Sequence, residues 1–337
     1  MTDLSPAYSH LHAMAACMPL HDLSFIRVTG SDRATLLHNL CTNEIRTLPQ
    51  GKACEAFFLS VQGKIVGHGN ILALADSHLI VSSANQAPAL LPQLDRYIIR
   101  EEVQLQDQSA ALTAIVVAGP LAENVLNRIN LGPGPQRLHE VTTAQLDQEP
   151  LVIVRTSWLS VPTFVVILHP AAEPLLHGLL LRTPADQDAA VKVIDCPREV
   201  FEMARIENGW PWYGIDITSD NLPQEVARDA QAISFVKGCY LGQETVARID
   251  ALGHANWILR GLSCDAPGRL VAQSELRLDD KVVARVRSAT HSEKLDMSLA
   301  LAYVRTGFAS DQTTFSIDSA KFTVHALPLS ERRSCSA

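Results

Sequence analysis

No lysine or arginine precedes Arg27. A secretory signal opens on basic residues ahead of an apolar run, and an organelle presequence is rich in arginine, so the opening MTDLSPAYSH resembles neither. Long uninterrupted apolar runs are missing too. The most apolar long window, Val161 to Leu181, is broken by His169, Pro170, Glu173, Pro174 and His177, which excludes it as a membrane span. Cysteine is sparse: seven residues, at 17, 41, 54, 196, 239, 264 and 335, with no C-x-x-C pair. Neither a disulfide framework nor a self-contained zinc site is expected, and no metal ligands are assigned. These absences set the expectation of a cytoplasmic protein in a reducing compartment. Positive charge is in deficit, with 28 Lys and Arg against 36 Asp and Glu for a net charge of −8, so strong direct binding to nucleic acid or an anionic membrane is not expected.

What is present is an ordinary globular balance, 47% apolar and 19% charged over 337 residues, enough for about two to three domains with real cores. Strands are expected at Leu23–Thr29, Ala56–Val61, Lys64–Leu74, His78–Ser82, Ala111–Ala118, Leu151–Arg155 and Pro162–Leu168, with a tight hairpin at Gln62-Gly63. Helical stripes begin near Asp32 and cover Ala87–Ile99, Leu121–Ile129, Ala172–Leu181 and Arg198–Asn208, the last ending near Gly209. Leu131–Pro135 reads as a loop. From about Trp257 to Leu327 the pattern is short strands and turns, a small separate β-barrel or sandwich. The class is therefore α+β followed by all-β, divided at residues 1–250 and 251–337, and not a doubly wound parallel sheet.

Two segments carry chemistry. In Lys237-Gly238-Cys239-Tyr240-Leu241-Gly242-Gln243-Glu244, two glycines bracket a cysteine that follows a lysine by two. A nearby ammonium favours a thiolate, so Cys239 reads as an exposed nucleophile, a redox thiol or a single metal ligand, against the plainer reading of a buried cysteine in a glycine-rich turn. In Arg205-Ile206-Glu207-Asn208-Gly209-Trp210-Pro211-Trp212-Tyr213-Gly214-Ile215-Asp216, a carboxylate at a helix end precedes three aromatics, although aromatics are only 5% of the chain. A carboxylate accepts two N–H donors from a heterocycle edge and aromatics stack on its face; an Arg–Glu pair and aromatics closing a core is the alternative.

Taken together, Arg205-x-Glu207-x-Gly209, Tyr213-Gly214-x-Asp216, Leu222-Pro223-Gln224-Glu225, the Lys237–Glu244 run and Val246-Ala247-Arg248 resemble the YgfZ-like branch of the folate-binding, aminomethyltransferase-like (GcvT-like) superfamily. Arg27-Val-Thr-Gly30-x-Asp32, Cys41-Thr42-Asn43 and Gln62-Gly63-Lys64 agree with it, and the likeness runs over roughly residues 20 to 328. The resemblance implies three subdomains around a central cavity: two α+β units and a C-terminal β-barrel. It implies tetrahydrofolate as cofactor, with Glu207 on the pterin. Arg205, Trp210, Tyr213, Asp216, Gln243 and Arg248 are the other candidate cofactor-binding residues, and Cys239 with Lys237 the candidate reactive pair. It further implies iron–sulfur client or assembly proteins as partners.

Two departures separate the chain from the glycine-cleavage T-protein branch. Where that branch carries a catalytic aspartate in a Gly-Gly-x-x-Asp-Asp stretch, this chain has Gly67 and His68, and His68 is expected to be a buried structural histidine. Arg155-Thr156-Ser157-Trp158 keeps only the first two residues of the branch's Arg-Thr-Gly-Tyr loop. The expected function is support of iron–sulfur cluster assembly or repair by a folate-binding protein with a functional thiol. A folate-dependent aminomethyl transferase or demethylase, and a tRNA-modification accessory protein, are the rivals. Among the other histidines, His10-x-His12 is expected in a mobile N-terminus, and His254 as a surface loop residue rather than a base for Cys239.

Overall fold

A computed structural model of the chain describes residues 4–131, 134–182, 191–253, 255–292 and 296–329. In order, the elements are α1 (Ser5–Ala13), β1 (Ala15–Leu20), β2 (Ser24–Thr29), α2 (Arg33–Leu40), β3 (Ala53–Leu59), β4 (Ile65–Ala73), β5 (Ser77–Ser82), α3 (Ala87–Asp95), β6 (Gln104–Asp107), β7 (Thr113–Ala118) and α4 (Ala122–Arg128). Then come β8 (Val141–Leu146), β9 (Glu149–Thr156), β10 (Thr163–Leu168), α5 (Glu173–Leu181), β11 (Val193–Asp195), α6 (Arg198–Asn208), α7 (Asp229–Ala232) and α8 (Gln243–Leu252). The last six strands are β12 (Trp257–Cys264), β13 (Glu275–Leu278), β14 (Lys281–Ser292), β15 (Met297–Arg305), β16 (Thr314–Ile317) and β17 (Ala320–His325).

Three sheets result, ordered β11-β1-β7-β10-β9-β8, β3-β4-β5-β2-β6 and β13-β14-β15-β12-β17-β16. The α+β class with a C-terminal barrel is what the sequence predicts. The third sheet draws only on strands from Trp257 onward, and its edge strands β13 and β16 approach each other, so it is nearly closed. The expected division after residue 250 falls inside α8, two residues before its end.

Alternation along the strands explains the layering. In the first sheet, Cys17, Ile115, Val117, Phe164 and Val166 face α4 and α5, meeting Val125, Leu126, Leu176 and Leu180. The intervening Ala16, Met18, Val116, Val165 and Ile167 face the second sheet's Phe25, Leu72 and Leu79. With both faces covered, β7 and β10 are buried along their whole length, which is why they read as unbroken apolar runs.

The N-terminus departs from expectation. Residues 5–13 are helical, with Tyr8 and Leu11 buried in the core between the first two sheets. His10 Nε2 meets the Lys192 carbonyl at 2.8 Å and His12 Nδ1 the Tyr8 carbonyl at 3.0 Å. Only two residues in the nine-residue helix are buried, so its apolar periodicity is faint. Helix α3 stops at Asp95 rather than Ile99: Pro92 removes an amide donor, and Ile99 is exposed. Strands β1, β6, β8 and β11 and helices α7 and α8 are additional to the sequence reading. His254 and Cys335 lie outside the described residues, as do residues 132–133 of the expected 131–135 loop.

Helix α6 organises these parts. Its Phe201, Met203 and Ala204 pack in the core between the first two sheets, and Ile206 packs in a second core with Phe57 and Ile65 of the second sheet and Leu299 and Leu301 of the barrel. It ends at Gly209 in the left-handed region (φ 76°), where a Cβ would strike Leu327 at 2.9 Å. Just before that end, buried Arg205 donates from Nε to Glu202 (2.7 Å), from Nη1 to the Trp210 carbonyl (2.6 Å) and to Asp216 (2.7 Å), and from Nη2 to the Ser288 hydroxyl (3.1 Å). Asp216, fully buried, also accepts from the Trp212 amide (2.9 Å) and Ser288 (2.5 Å). A register shift between Val286 and Ser288 re-aims β14 at this point.

The Arg205–Asp216 pair is therefore a joint between α6, the 210–216 turn and the barrel. Replacing Arg205 by Met leaves Asp216 buried without a counter-charge and is expected to cost about 3–5 kcal/mol. Denaturant unfolding of R205M and of the R205M/D216N double variant checks this. The double variant should recover part of the loss.

Candidate functional site

The last turn of α6 also carries Glu207, 2% exposed. Its Oε2 accepts from the Tyr8 hydroxyl of α1 at 2.6 Å, and its Oε1 accepts from the Ser292 hydroxyl of β14. Both partners are neutral, and no cation pairs with Glu207 among the described residues. The other buried carboxylates are differently placed. Asp216 is neutralised by Arg205. Glu225 accepts from the Asn221 side chain and the Leu222 amide, capping its own turn.

Glu55, on β3, is held by both Nε and Nη2 of Arg228, the latter at 2.6 Å, and receives His68 Nε2–H at 2.8 Å. Burial alone would raise the Glu55 pKa; the charge and hydrogen bonds of Arg228, with those of His68, outweigh it and hold the carboxyl at about 2. The Arg228 guanidinium lies 4.5 Å over the Trp210 ring, and His68 lies 5.5 Å from the same ring. Trp210 in turn is 6.1 Å from Trp158. The indole N–H groups of Trp158 and Trp210 and Nδ1 of His139 are buried with no hydrogen-bond partner. Unmet buried donors are costly and uncommon, so this aromatic and ionic cluster has polar capacity to spare.

The candidate residues are thus distributed as follows. Trp210 stands in this cluster, and Glu207 is buried between α1 and β14. Arg205 and Asp216 are spent on each other and on the barrel joint, which gives them a structural role. Tyr213 is half-buried, its phenol pKa raised by burial, and lines a separate cavity of about 180 Å³ with Leu20, Arg198 and Trp212. Gln243 and Arg248 lie on α8, which packs on the Gln62-Gly63 hairpin through the Thr245 hydroxyl bonded to the Gln62 carbonyl at 3.0 Å. Neither hydrogen-bonds nor ion-pairs with Glu207. His68 is the buried, paired histidine that was expected. Tyr8, Ser292, Glu55 and Arg228 were missed by the sequence reading. Tyr8 and Ser292 are bonded to Glu207 from 199 and 85 residues away, and no local pattern encodes that.

Lys237 and Cys239 are near in sequence but directed apart. Lys237 is buried, and its ammonium donates to the carbonyls of His38 (2.5 Å), Cys41 (2.8 Å) and Asn43 (2.8 Å), at the C-terminal end of α2. Burial lowers its pKa, opposed by Cys41 and Glu44. Its contacts make it a cap for α2 rather than an activator of Cys239. Cys239 itself is exposed, as are Phe235 and Val236 earlier in the same loop, at 49% and 97%. Cys17, Cys41, Cys196 and Cys264 are buried; burial pushes Cys17 and Cys196 to about 12 and Cys41 to about 11.

Comparison with known proteins agrees with this architecture. Residues 7–232 match the family model described as the GCVT N-terminal domain, and residues 259–331 match that of the glycine cleavage T-protein C-terminal barrel domain. The chain is 25% identical over 296 residues to a chloroplastic protein of Arabidopsis thaliana that carries a provisional transferase name; the match covers 87% of this chain and 66% of that one, just under two thirds of its length. It is 24% identical over 341 residues to the aminomethyltransferase of Cutibacterium acnes, covering 95% and 89% of the two chains. The crystal structure of glycine cleavage system aminomethyltransferase T from Bartonella henselae shares the fold, with a TM-score of 0.85 at 21% identity over 97% of this chain and 90% of that one. No helix among the described residues is long and apolar enough to cross a membrane.

The Glu55 cluster has a pH signature. Its carboxyl is depressed from 4.5 to about 2, so its stabilising contribution is complete above about pH 4.5 and is lost as pH falls towards 2. Acid titration of stability should show a shallower loss between pH 4.5 and 2 in Glu55→Gln than in the parent, with the variant less stable at pH 7.

Proposed function

The chain belongs to the GCVT N-terminal domain family, and on that premise we propose that it binds tetrahydrofolate and, as a YgfZ-like member, supports iron–sulfur cluster assembly or repair in client enzymes through Cys239. The observation that carries the folate reading is Glu207, a buried carboxylate with only hydroxyl partners. Hydroxyls rotate and can exchange an acceptor for another partner at small cost, whereas an arginine fork does not let go without stranding a charge. Glu207 is thus the buried acid of the described set that is free to accept N–H donors from a ligand. The unpartnered indole N–H groups of Trp158 and Trp210 fit the same occupant, as donors and as flat apolar walls.

Tetrahydrofolate, when bound, supplies a reduced pterin whose amino-pyrimidinone edge presents N–H donors. Glu207 accepts them, Tyr8 and Ser292 turn their hydroxyls elsewhere, and α1 and the barrel strand β14 keep water from the carboxylate. Cys239 is exposed and single, and one cysteine cannot supply the four ligands a cluster ordinarily takes. Its part is therefore transient, as one ligand or exchanging thiol presented to a partner protein. The exposed Phe235 and Val236, four and three residues before it, give a partner apolar surface to meet.

A second reading, folate-dependent aminomethyl transfer, is favoured by the names of the bacterial relatives and by the presence of an acid, Glu55, beside His68. Both Glu55 oxygens are engaged, by Arg228 and His68, which leaves that carboxylate poorly placed to move a proton. A role as tRNA-modification accessory by direct RNA contact is opposed by the net charge of −8.

Glu207→Ala should weaken tetrahydrofolate binding about ten- to a hundred-fold, the worth of a hydrogen-bonded charged group. Calorimetry with unchanged affinity would remove Glu207 from the site. Cys239→Ser should keep the parent's unfolding midpoint, because an exposed thiol contributes little packing. It should nevertheless fail to restore iron–sulfur enzyme activity in cells lacking the protein, and full restoration by the serine variant would leave the folate site as the whole function.

A further inference from the structure

Away from Glu207 and Cys239, three side chains of different chemistry converge at the edge of the first sheet. We propose that Cys17, His177 and Asp195 form an open three-ligand site for a zinc-class divalent cation. Cys17 Sγ, His177 Nε2 and an Asp195 carboxylate oxygen lie within 4.8 Å of one another. Within the group, His177 Nε2 is 2.5 Å and Cys17 Sγ 3.9 Å from Asp195 Oδ1.

The fold builds this convergence. β1 and β11 pair in parallel with Cys17 opposite Asp195, so both side chains leave the same face of the sheet. That face is covered by α5, whose Leu176 and Leu180 enter the core there while His177 reaches the sheet's edge strand. The ligands come from three elements and span 178 residues of sequence, so no motif announces them.

The donor set selects the ion. Sulfur, imidazole nitrogen and one carboxylate suit zinc and its neighbours; calcium and magnesium want oxygens alone. In a tetrahedral zinc site, with bonds near 2.0–2.3 Å, donors stand roughly 3.3–3.8 Å apart. Reaching that spacing requires His177 and Asp195 to open by about 1 Å, which two surface side chains can do by rotation. Cys17 is wholly buried, whereas the side chains of His177 and Asp195 are 29% and 61% exposed, so the site has an apolar floor and a wet mouth. The neighbouring Cys196 does not complete it, since its sulfur packs in the opposite layer and points to the Pro197 carbonyl at 3.6 Å. The fourth position therefore falls to water, and the Cys17 thiol proton leaves to solvent on binding.

The test uses the full chain stripped of metal and titrated with Co2+, whose bond to a thiolate gives a near-ultraviolet charge-transfer band, followed by competition with Zn2+. The expected result is one equivalent bound, a band that Zn2+ abolishes, no band in Cys17→Ser, and an affinity at least ~10-fold weaker in His177→Gln. Cys239→Ser should bind as the parent does. His177→Gln changes a partly exposed residue and tests the site even where Cys17→Ser disturbs the core. Absence of the band in the parent, its survival in Cys17→Ser with parental circular dichroism, or undiminished affinity in His177→Gln would reduce the three residues to a hydrogen-bonded cluster.

Discussion

The buried Arg205–Asp216 pair is the constraint on which the rest of the molecule depends. Two charges withdrawn from water are tolerable only where each hydrogen-bonding direction is met, and here the partners come from α6, the 210–216 turn and the barrel strand β14. The pair can be satisfied only when the barrel is docked on the first two sheets. The same docking brings Ser292, on the same strand as Ser288, to Glu207. The candidate ligand carboxylate is thus positioned as a consequence of closing the structural ion pair two residues earlier in the helix.

The buried acids divide by the kind of partner each has. Glu55 and Asp216 face guanidinium groups and are committed; Glu225 closes its own turn; Glu207 faces hydroxyls that can turn away. A fold that buries carboxylates for stability pairs them with fixed cations, because an unpaired buried charge is expensive. Leaving one with rotatable neutral partners is poor economy for stability alone and good design for an exchangeable occupant. The unmet indole donors of Trp158 and Trp210 are a second departure from full pairing among the buried polar groups.

Much of this was legible beforehand, and the failures have identifiable causes. The runs around β7 and β10 and the helix α6 announced themselves by apolar pattern and by Gly209, because those elements are sandwiched and their burial is complete or one-sided. Helix α1 did not, because only Tyr8 and Leu11 are buried and its polar residues dominate the window. Glu207 was legible as a carboxylate at a helix end. Its partners were not, because tertiary contacts across 85 and 199 residues leave no trace in local spacing. Arg205 and Asp216 look identical in sequence to ligand-binding residues. Only the structure distinguishes a charge used to close a joint from one held open.

The Lys237-x-Cys239 spacing holds the most instructive difference. Two residues apart, an ammonium and a thiol look like an activated pair, yet Lys237 turns inward to three carbonyls at the end of α2 while Cys239 faces solvent. The lysine anchors the loop at its base, and the segment's own amides tie it down further: Ser234 to Thr42 and Leu241 to Asn39. The cysteine is therefore displayed on a fixed platform rather than activated by its neighbour. Such a thiol depends on what approaches it. That suits transient engagement by a partner better than turnover of a small substrate, which requires the activating base or cation to be built into the same site.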